Sequence, residues 1–372
     1  MPHIAIVGAG ILGAATADRL CRAGARVTLV DAREPGTGAS GTSLAWLNSN
    51  AKEPRSYHDL SVQGIAEWRR LAAEFGNPAW YAPTGSIAWA GTDDARADLA
   101  ARVARLRDWG YPASELTATA LADLEPHLRL PADAHAAFFA GEGFLFGGPA
   151  AQALAGRARS GAADLVTGSG VRDVEGDGGT VTGVVLADGR RITADAYVFS
   201  AGPATPGLLS GLGVSVALEP ADAAGSPAPC LVAHVTTGTD LIRRVVQSPE
   251  LSMRPLQHPG LYLEAGDLNT TVDVHTGADV LDRHVAELRA RAAKVLPALP
   301  DRTTGADGRI CVRPLPSDGL PIIGWLPGLP NAYLMVTHSG MTLGALLGRL
   351  AAAEVLGTRQ SVLDPYRPER FH

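Results

Sequence analysis

The chain opens with two kinds of apolar patterning in quick succession. Residues 3–8, HIAIVG, form an unbroken apolar run with β-branched side chains, which predicts a short buried strand. The segment AGILGAATADRLCRAG then predicts a helix ending near Gly24, and ARVTLVD predicts a second strand. This is a β-α-β opening whose glycines fall where the first strand turns into the helix.

Further along, EPGTGASGTS at 34–43 is small and polar and predicts a loop. Leu60, Ile65, Trp68 and Leu71 at helical spacing predict a helix over 56–75, and another is expected over 94–108. Beyond residue 164 the texture changes. LVTGSGVRDVE predicts a strand over 165–174, a hairpin follows with Asp188-Gly189 at its turn, and the apolar AYVFSAG predicts a strand ending on Gly202. Residues 205–300 are rich in Pro and Gly, with a helix expected over 278–296. NAYLMVT then reads as a strand, HSGMT as a turn, and 343–356 as a helix closed by Gly357. There is no internal repeat.

Composition narrows the class. A chain of 372 residues, 46% hydrophobic and 19% charged, is a soluble globular protein with room for two domains. A formal net charge of −6 and the lack of a basic block argue against nucleic acid as a partner. Lys52 and Lys294 are the lysines of the chain, and every other basic residue is arginine. Cys21, Cys230 and Cys311 form neither a disulfide framework nor a CxxC metal site, and no HxxxH or GxSxG pattern is present. No apolar stretch is long enough to span a bilayer, and the N-terminal run lacks the basic flank of a signal peptide, so a cytoplasmic protein without membrane insertion is expected.

The chemistry begins at Gly8-Ala9-Gly10-Ile11-Leu12-Gly13, which fits G-x-G-x-x-G, with Asp31 ending the next strand. Gly8 permits the tight turn, Gly10 lets backbone N–H groups approach a pyrophosphate, and Gly13 lets helix and strand pack closely. Asp31 accepts hydrogen bonds from a ribose. The helix N-terminus adds its partial positive charge. Ala32 and Arg33 follow the acid and count with the nucleotide residues; the acid itself speaks against a 2′-phosphate. An NAD domain would run on in further alternating strands and helices. Here the second strand enters the 36–43 loop, and the next strand suited to the same sheet comes after residue 160. A nucleotide domain made of separated pieces points to FAD, whose ring must reach a second domain.

These motifs resemble the D-amino-acid oxidase superfamily, which holds glycine oxidase, sarcosine oxidase and D-amino-acid dehydrogenase. IAIVGAGILGAATADRL with Asp31 is similar to its opening. Ala39-Ser40-Gly41-Thr42-Ser43, VFSAGPAT and RPLPSDGLPIIG followed by THSGMTLG resemble its later segments. The resemblance implies that Ser40, Gly41, Thr42 and Ser43 lie by the phosphates and ring, and that Val171 pairs its backbone with adenine. It implies that Ala201 and Gly202 line the dinucleotide, and that Gly340, Met341 and Thr342 offer N–H groups to the flavin C2=O edge. It makes Arg313 the residue that grips the substrate carboxylate; the other reading is a structural arginine paired with Asp318 or a carbonyl. His338 is either a polar neighbour of the flavin or a residue fixing its turn. Lys52 either approaches the ring or is a solvated surface lysine. Cys311 is either linked to the flavin 8-methyl or a small buried hydrophobe.

The expected fold is α/β: a Rossmann-like FAD domain from 1–75, 141–204 and 306–372, with an α+β substrate domain from 76–140 and 205–305 carrying an antiparallel sheet. By resemblance, the expected reaction oxidises the C–N bond of an amino acid or N-substituted glycine by hydride transfer to flavin N5. The imine hydrolyses to an oxo acid, with O₂ as acceptor, or a quinone or other electron carrier in a dehydrogenase. A non-catalytic FAD-binding module is the other alternative.

Overall fold

The computed structural model describes residues 1–223 and 225–371. The opening is a strand His3–Val7, a helix Ile11–Arg22 and a strand Arg26–Val30. The two strands pair in parallel, and the helix stops where Gly24 takes φ +85°, a backbone region that glycine enters without a Cβ penalty. The helices expected over 56–75, 94–108 and 278–296 are present as Arg55–Glu74, Asp93–Asp108 and Ala278–Val295.

Four expectations need correction. The strand expected to end on Gly202 stops at Phe199, and Gly202 at φ +57° opens a helical turn instead. The strand expected over 165–174 is two strands in different sheets: Asp164–Val166 joins Arg26–Val30, while Val171–Gly176 pairs with Val181–Leu186. Gly168 at φ +78° turns the chain between them, and the two-residue alternation cannot run through such a turn. The loop 34–43 contains one helical turn, Ala39–Thr42. The C-terminal helix begins at Gly340, not 343, inside the HSGMT segment, because the Leu343 N–H closes the first turn on the Ser339 carbonyl at 2.9 Å.

The first large sheet has six strands in the order Ile322–Leu326, Leu329–Val336, Ala196–Phe199, His3–Val7, Arg26–Val30, Asp164–Val166. All its neighbours run parallel except the edge pair Ile322–Leu326 and Leu329–Val336. Its central strands are apolar throughout because both faces are covered. On one face, Ile4, Ile6 and Val198 pack with the helices Ile11–Arg22, Gly147–Ser160 and Gly340–Val355. On the other, Val7, Phe199 and Leu334 pack with Val174, Val181 and Val184 of a three-stranded meander. Gly348 lets the first and last helices cross closely: a Cβ there would lie 2.6 Å from that of Ala15.

The second large sheet has eight strands, in the order Thr303–Val312, Pro229–Thr237, Gly260–Glu264, Ser252–Pro255, Val245–Gln247, Ser86–Ala90, His135–Phe139, Ala113–Glu115. It is antiparallel apart from the pair Val245–Gln247 and Ser86–Ala90. The two-residue alternation sorts its faces. Leu231, Ala233, Leu261 and Leu263 pack against Val285, Leu288 and Ala292 of the helix Ala278–Val295, while Cys230, Val232, Tyr262 and Cys311 form a separate cluster on the opposite face. The position between 305 and 306 falls inside the strand Thr303–Val312, which pairs with Pro229–Thr237. Among the described residues, no helix is long and apolar enough to cross a membrane, and no cluster of His, Cys, Asp and Glu could hold a metal ion.

Candidate functional site

Between the two sheets lies a cavity of about 550 Å³, within the range of small-molecule and cofactor sites. One end is the turn after the first strand. Gly8 sits at φ +103°, and a Cβ there would stand 2.5 Å from the Ser200 carbonyl oxygen. A Cβ at Gly13 would run into the carbonyl oxygen of Gly8. Asp31 closes the turn: its Oδ2 accepts from the Ala9 N–H at 2.7 Å and its Oδ1 from the Arg33 N–H at 2.9 Å. The Ile11 N–H donates to Ser40 Oγ at 3.0 Å. The N–H groups of Leu12 and Gly13 precede the first intrahelical bond, from Ala14 N–H to Gly10 O at 2.9 Å. A helix terminus of this kind suits a phosphate.

Gly8, Gly10, Ile11, Leu12, Asp31, Ala32 and Arg33 line this end of the cavity, and Ser40, Ser43, Val171, Ala201 and Gly202 line it further in. Three of the expected residues lie outside its wall. Gly13 packs on Gly8, and Gly41 packs on Gly36, whose carbonyl a Cβ would approach to 2.5 Å. The Thr42 carbonyl accepts from the Tyr262 hydroxyl at 3.1 Å, fixing the loop to the second sheet. Arg254 braces the same loop. It is buried, donates to the Ser43 carbonyl at 3.1 Å and to that of Leu44, and lies 4.7 Å from the Tyr262 ring centroid. Burial lowers its pKa to about 10.

A second wall is built on the C-terminal helix. Gly340, Met341 and Thr342 line the cavity, and their N–H groups precede the first intrahelical bond, from Leu343 N–H to Ser339 O at 2.9 Å. Side chains lock this turn in place. Trp68 Nε1 donates to the Met341 carbonyl at 2.6 Å, the Thr342 hydroxyl donates to the Trp46 carbonyl at 3.1 Å, and the Asn48 N–H donates to Thr342 Oγ1 at 3.2 Å.

Lys52 is not a solvated surface lysine. Its ammonium donates to Ser339 Oγ at 2.8 Å beside the Tyr57 hydroxyl, which donates to the same oxygen at 2.7 Å. Burial lowers its pKa to about 8, against the opposing pull of Glu142. His338 lines the cavity and is exposed to it, with the surrounding protein limiting its solvation. Burial first, then the cations of Lys52 and Arg313, lower its pKa to about 3, so the imidazole is neutral.

Sequence reasoning missed Glu142, a lone acid between two glycines with no motif around it. It is 1% exposed and accepts six hydrogen bonds. The donors are the N–H groups of Ser49 at 2.8 Å and Asn50 at 2.9 Å, Asn50 Nδ2 at 2.9 Å, Trp46 Nε1 at 3.0 Å, Ser86 Oγ at 2.5 Å and the Tyr111 hydroxyl at 2.9 Å. This carboxylate fixes the segment 46–50 that leads into Lys52.

The roof over this end comes from the eight-stranded sheet: Cys230, Gln247, Ser252, Tyr262, Glu264, Cys311 and Arg313 face the cavity. Arg313 donates through Nη2 to the Pro227 carbonyl, and its Nη1 lies 3.8 Å from Glu264 Oε1. Its Nε is buried without a partner. The carbonyl contact of the structural reading is therefore present, but the Asp318 pairing is not. Asp318 accepts from Arg370 Nε at 2.7 Å instead. Cys311 is a free thiol whose pKa burial raises, as it does for its cross-strand neighbour Cys230.

A turn only glycine can form, an acid beside it and two helix N-termini, packed together where Gly340 meets Ile11 and both opening on one cavity, fit a dinucleotide carrying negative charge. From residue 3 to residue 354 the chain matches the profile of a family described as FAD dependent oxidoreductase. An uncharacterised oxidoreductase of Bacillus subtilis (strain 168), YurR, is 27% identical over 99% of both proteins. A glycine oxidase of Geobacillus kaustophilus (strain HTA426) is 27% identical over 97% of this chain and 94% of its own. The crystal structure of glycine oxidase from Geobacillus kaustophilus superposes with a TM-score of 0.84 at 24% identity, covering 99% of this chain and 98% of that one. At that identity the structural likeness speaks for the fold.

Proposed function

The chain belongs to the FAD-dependent oxidoreductase family, and from that premise we propose that it oxidises the C–N bond of a small amino acid or N-substituted glycine. The product would be an imine that hydrolyses to an oxo acid, with O₂ as the electron acceptor. The observation that carries this reading is Arg313 in the roof of the cavity, with its Nε unpartnered and its Nη1 no nearer than 3.8 Å to an acid. A guanidinium so placed has donors left over for a substrate carboxylate. The names of the glycine oxidase relatives agree with a small amino-acid substrate.

On this reading the turn at Gly8 and Gly10 and the N-terminus of the helix Ile11–Arg22 hold the pyrophosphate, and Asp31 holds the ribose. Bound FAD supplies the electron-pair acceptor that no side chain can provide. The residues of the chain orient and polarise. Arg313 anchors the carboxylate, so the Cα–H is presented in one direction. The N–H groups at Gly340, Met341 and Thr342, with the Lys52 ammonium behind Ser339, place positive potential along that side of the cavity. His338, neutral near pH 7, adds a polar group without adding charge. The cofactor part and the substrate part of the chain, in this proposal, follow the two large sheets.

The test is an anaerobic absorbance titration of the purified protein with small amino acids and N-alkylglycines. Bleaching of the flavin band near ~450 nm by one of them supports the reading. Rapid return of the band on admitting air supports the oxidase, and slow return restored by a quinone supports a dehydrogenase. A yellow protein that no amine reduces overturns the substrate assignment.

A further inference from the structure

We propose that Glu264 makes the roof of the cavity a site for a zwitterion, taking the ammonium of the same small molecule whose carboxylate Arg313 holds. The inference rests on the reading of Arg313 given above and adds a second anchor to it.

Glu264 ends the strand Gly260–Glu264 and shares its cavity-facing side with Tyr262, two residues earlier. Its carboxylate is tethered rather than satisfied. Oε1 accepts from Asn269 Nδ2 at 3.2 Å and lies 3.8 Å from Arg313 Nη1, too long for a hydrogen bond, and the other donor beside the carboxylate is the Cys230 thiol, a weak one. An acid aimed into a substrate site beside the carboxylate-binding arginine repels a plain carboxylate and attracts a cation.

The spacing chooses which cation. Bond lengths of about 1.46 Å for N–Cα and 1.52 Å for Cα–C put an α-nitrogen roughly 3 Å from the carboxylate oxygens of its own molecule. That matches the 3.8 Å between the two protein charges. A cation at the end of a side chain would reach well past Glu264. The surroundings add no competing acid: Cys230 and Cys311 are held as neutral thiols by burial, and His338 is neutral. Arg313 and Lys52 are the cations at this end of the cavity.

The experiment compares two isosteres that lack a Cα–H and so cannot be oxidised: 2-methylalanine and 2-hydroxy-2-methylpropanoate. Binding to the FAD-loaded protein is read from the perturbed flavin spectrum and by calorimetry, in the wild type and in Glu264→Gln, Glu264→Asp and Arg313→Leu. The wild type is expected to prefer the amino acid by about tenfold or more, the scale of one hydrogen bond to a charged group. Glu264→Gln should weaken the amino acid and tighten the hydroxy acid, collapsing the preference. Glu264→Asp should keep much of it. If Glu264 only steadies Arg313, Glu264→Gln weakens both ligands by the same factor, and the proposal is overturned while the role of Arg313 stands. Should neither ligand bind the wild type, or should Arg313→Leu leave binding unchanged, the carboxylate site falls and this proposal falls with it.

Discussion

The Lys52 ammonium and the Ser339 hydroxyl meet at 2.8 Å across 287 residues of sequence. Ser339 is the residue from which the C-terminal helix starts. The contact therefore adds a cation to the positive end of a helix dipole, and burial answers by lowering the lysine pKa to about 8.

That pKa is directly measurable because the chain has few lysines. In cofactor-free protein labelled with ¹⁵N-lysine, the side-chain signal that disappears in Lys52→Met should titrate near pH 8. The sign for stability follows. Between about pH 8 and 10.5 the unfolded chain holds a proton at this lysine that the folded protein has released. Folding is therefore disfavoured below pH 8, and this penalty fades as pH rises to 10.5. Lys52→Met should flatten that part of the stability profile; an unchanged slope in urea melts would show that Lys52 is not desolvated.

Glu142 is expected to be among the costliest acids to remove. Glu142→Ala leaves the N–H groups of Ser49 and Asn50 and the donors of Trp46 and Tyr111 buried without their acceptor. The loss should be about 3 kcal/mol or more. Glu142→Gln should also destabilise, since its amide brings donors to a cluster that supplies donors already. Denaturant midpoints for the two variants check this, and a change below 1 kcal/mol would mean that water replaces the carboxylate.

Gly13→Ala forces a methyl into the Gly8 carbonyl, so the cofactor turn cannot keep its shape. The variant is expected to purify without flavin. Gly207→Ala serves as the control, because a Cβ there meets nothing within 4 Å. It should remain yellow and melt at or slightly above the wild-type temperature.

Burial raises the Cys311 pKa, and a neutral thiol is a poor nucleophile. The flavin is therefore expected to be held without a covalent bond. Denaturing the protein in acid and filtering it should send all the yellow colour through the membrane, in the wild type and in Cys311→Ala alike. Colour retained with the wild-type polypeptide alone would establish the linkage.

The nucleotide end was legible because its requirements are local. Gly8, Gly10, Gly13 and Asp31 lie on one β-α-β unit, and the spacing of backbone turn, helix start and strand end is written in consecutive residues. The substrate end was not legible in this way. Glu264, Gln247 and Ser252 come from separate strands, and each reaches the cavity only through the alternation and register of an eight-stranded sheet. Arg313 was visible because it precedes a recognisable segment, whereas its neighbour Glu264 stands in a stretch without a motif. Lys52 stayed open between a ring neighbour and a solvated lysine, because a lysine in a polar loop is usually solvated. Only the return of the chain at Ser339 encloses it.

The strand Leu329–Val336 adjoins Ala196–Phe199 inside the six-stranded sheet, and the turn after it carries the second helix N-terminus of the cavity. During synthesis the Gly8 turn emerges first and waits for that partner through most of translation. The β-α-β unit thus begins life as half of a binding site with both flanks of its sheet bare, until Asp164–Val166 and Ala196–Phe199 join it. Tight cofactor capture is consequently a late event, coupled to closure of contacts between the two ends of the chain, and such closure is slow. Any truncation before Gly340 removes the Gly340–Thr342 wall of the cavity while leaving the nucleotide fingerprint whole. A search for that fingerprint would therefore recognise a fragment that cannot hold the cofactor.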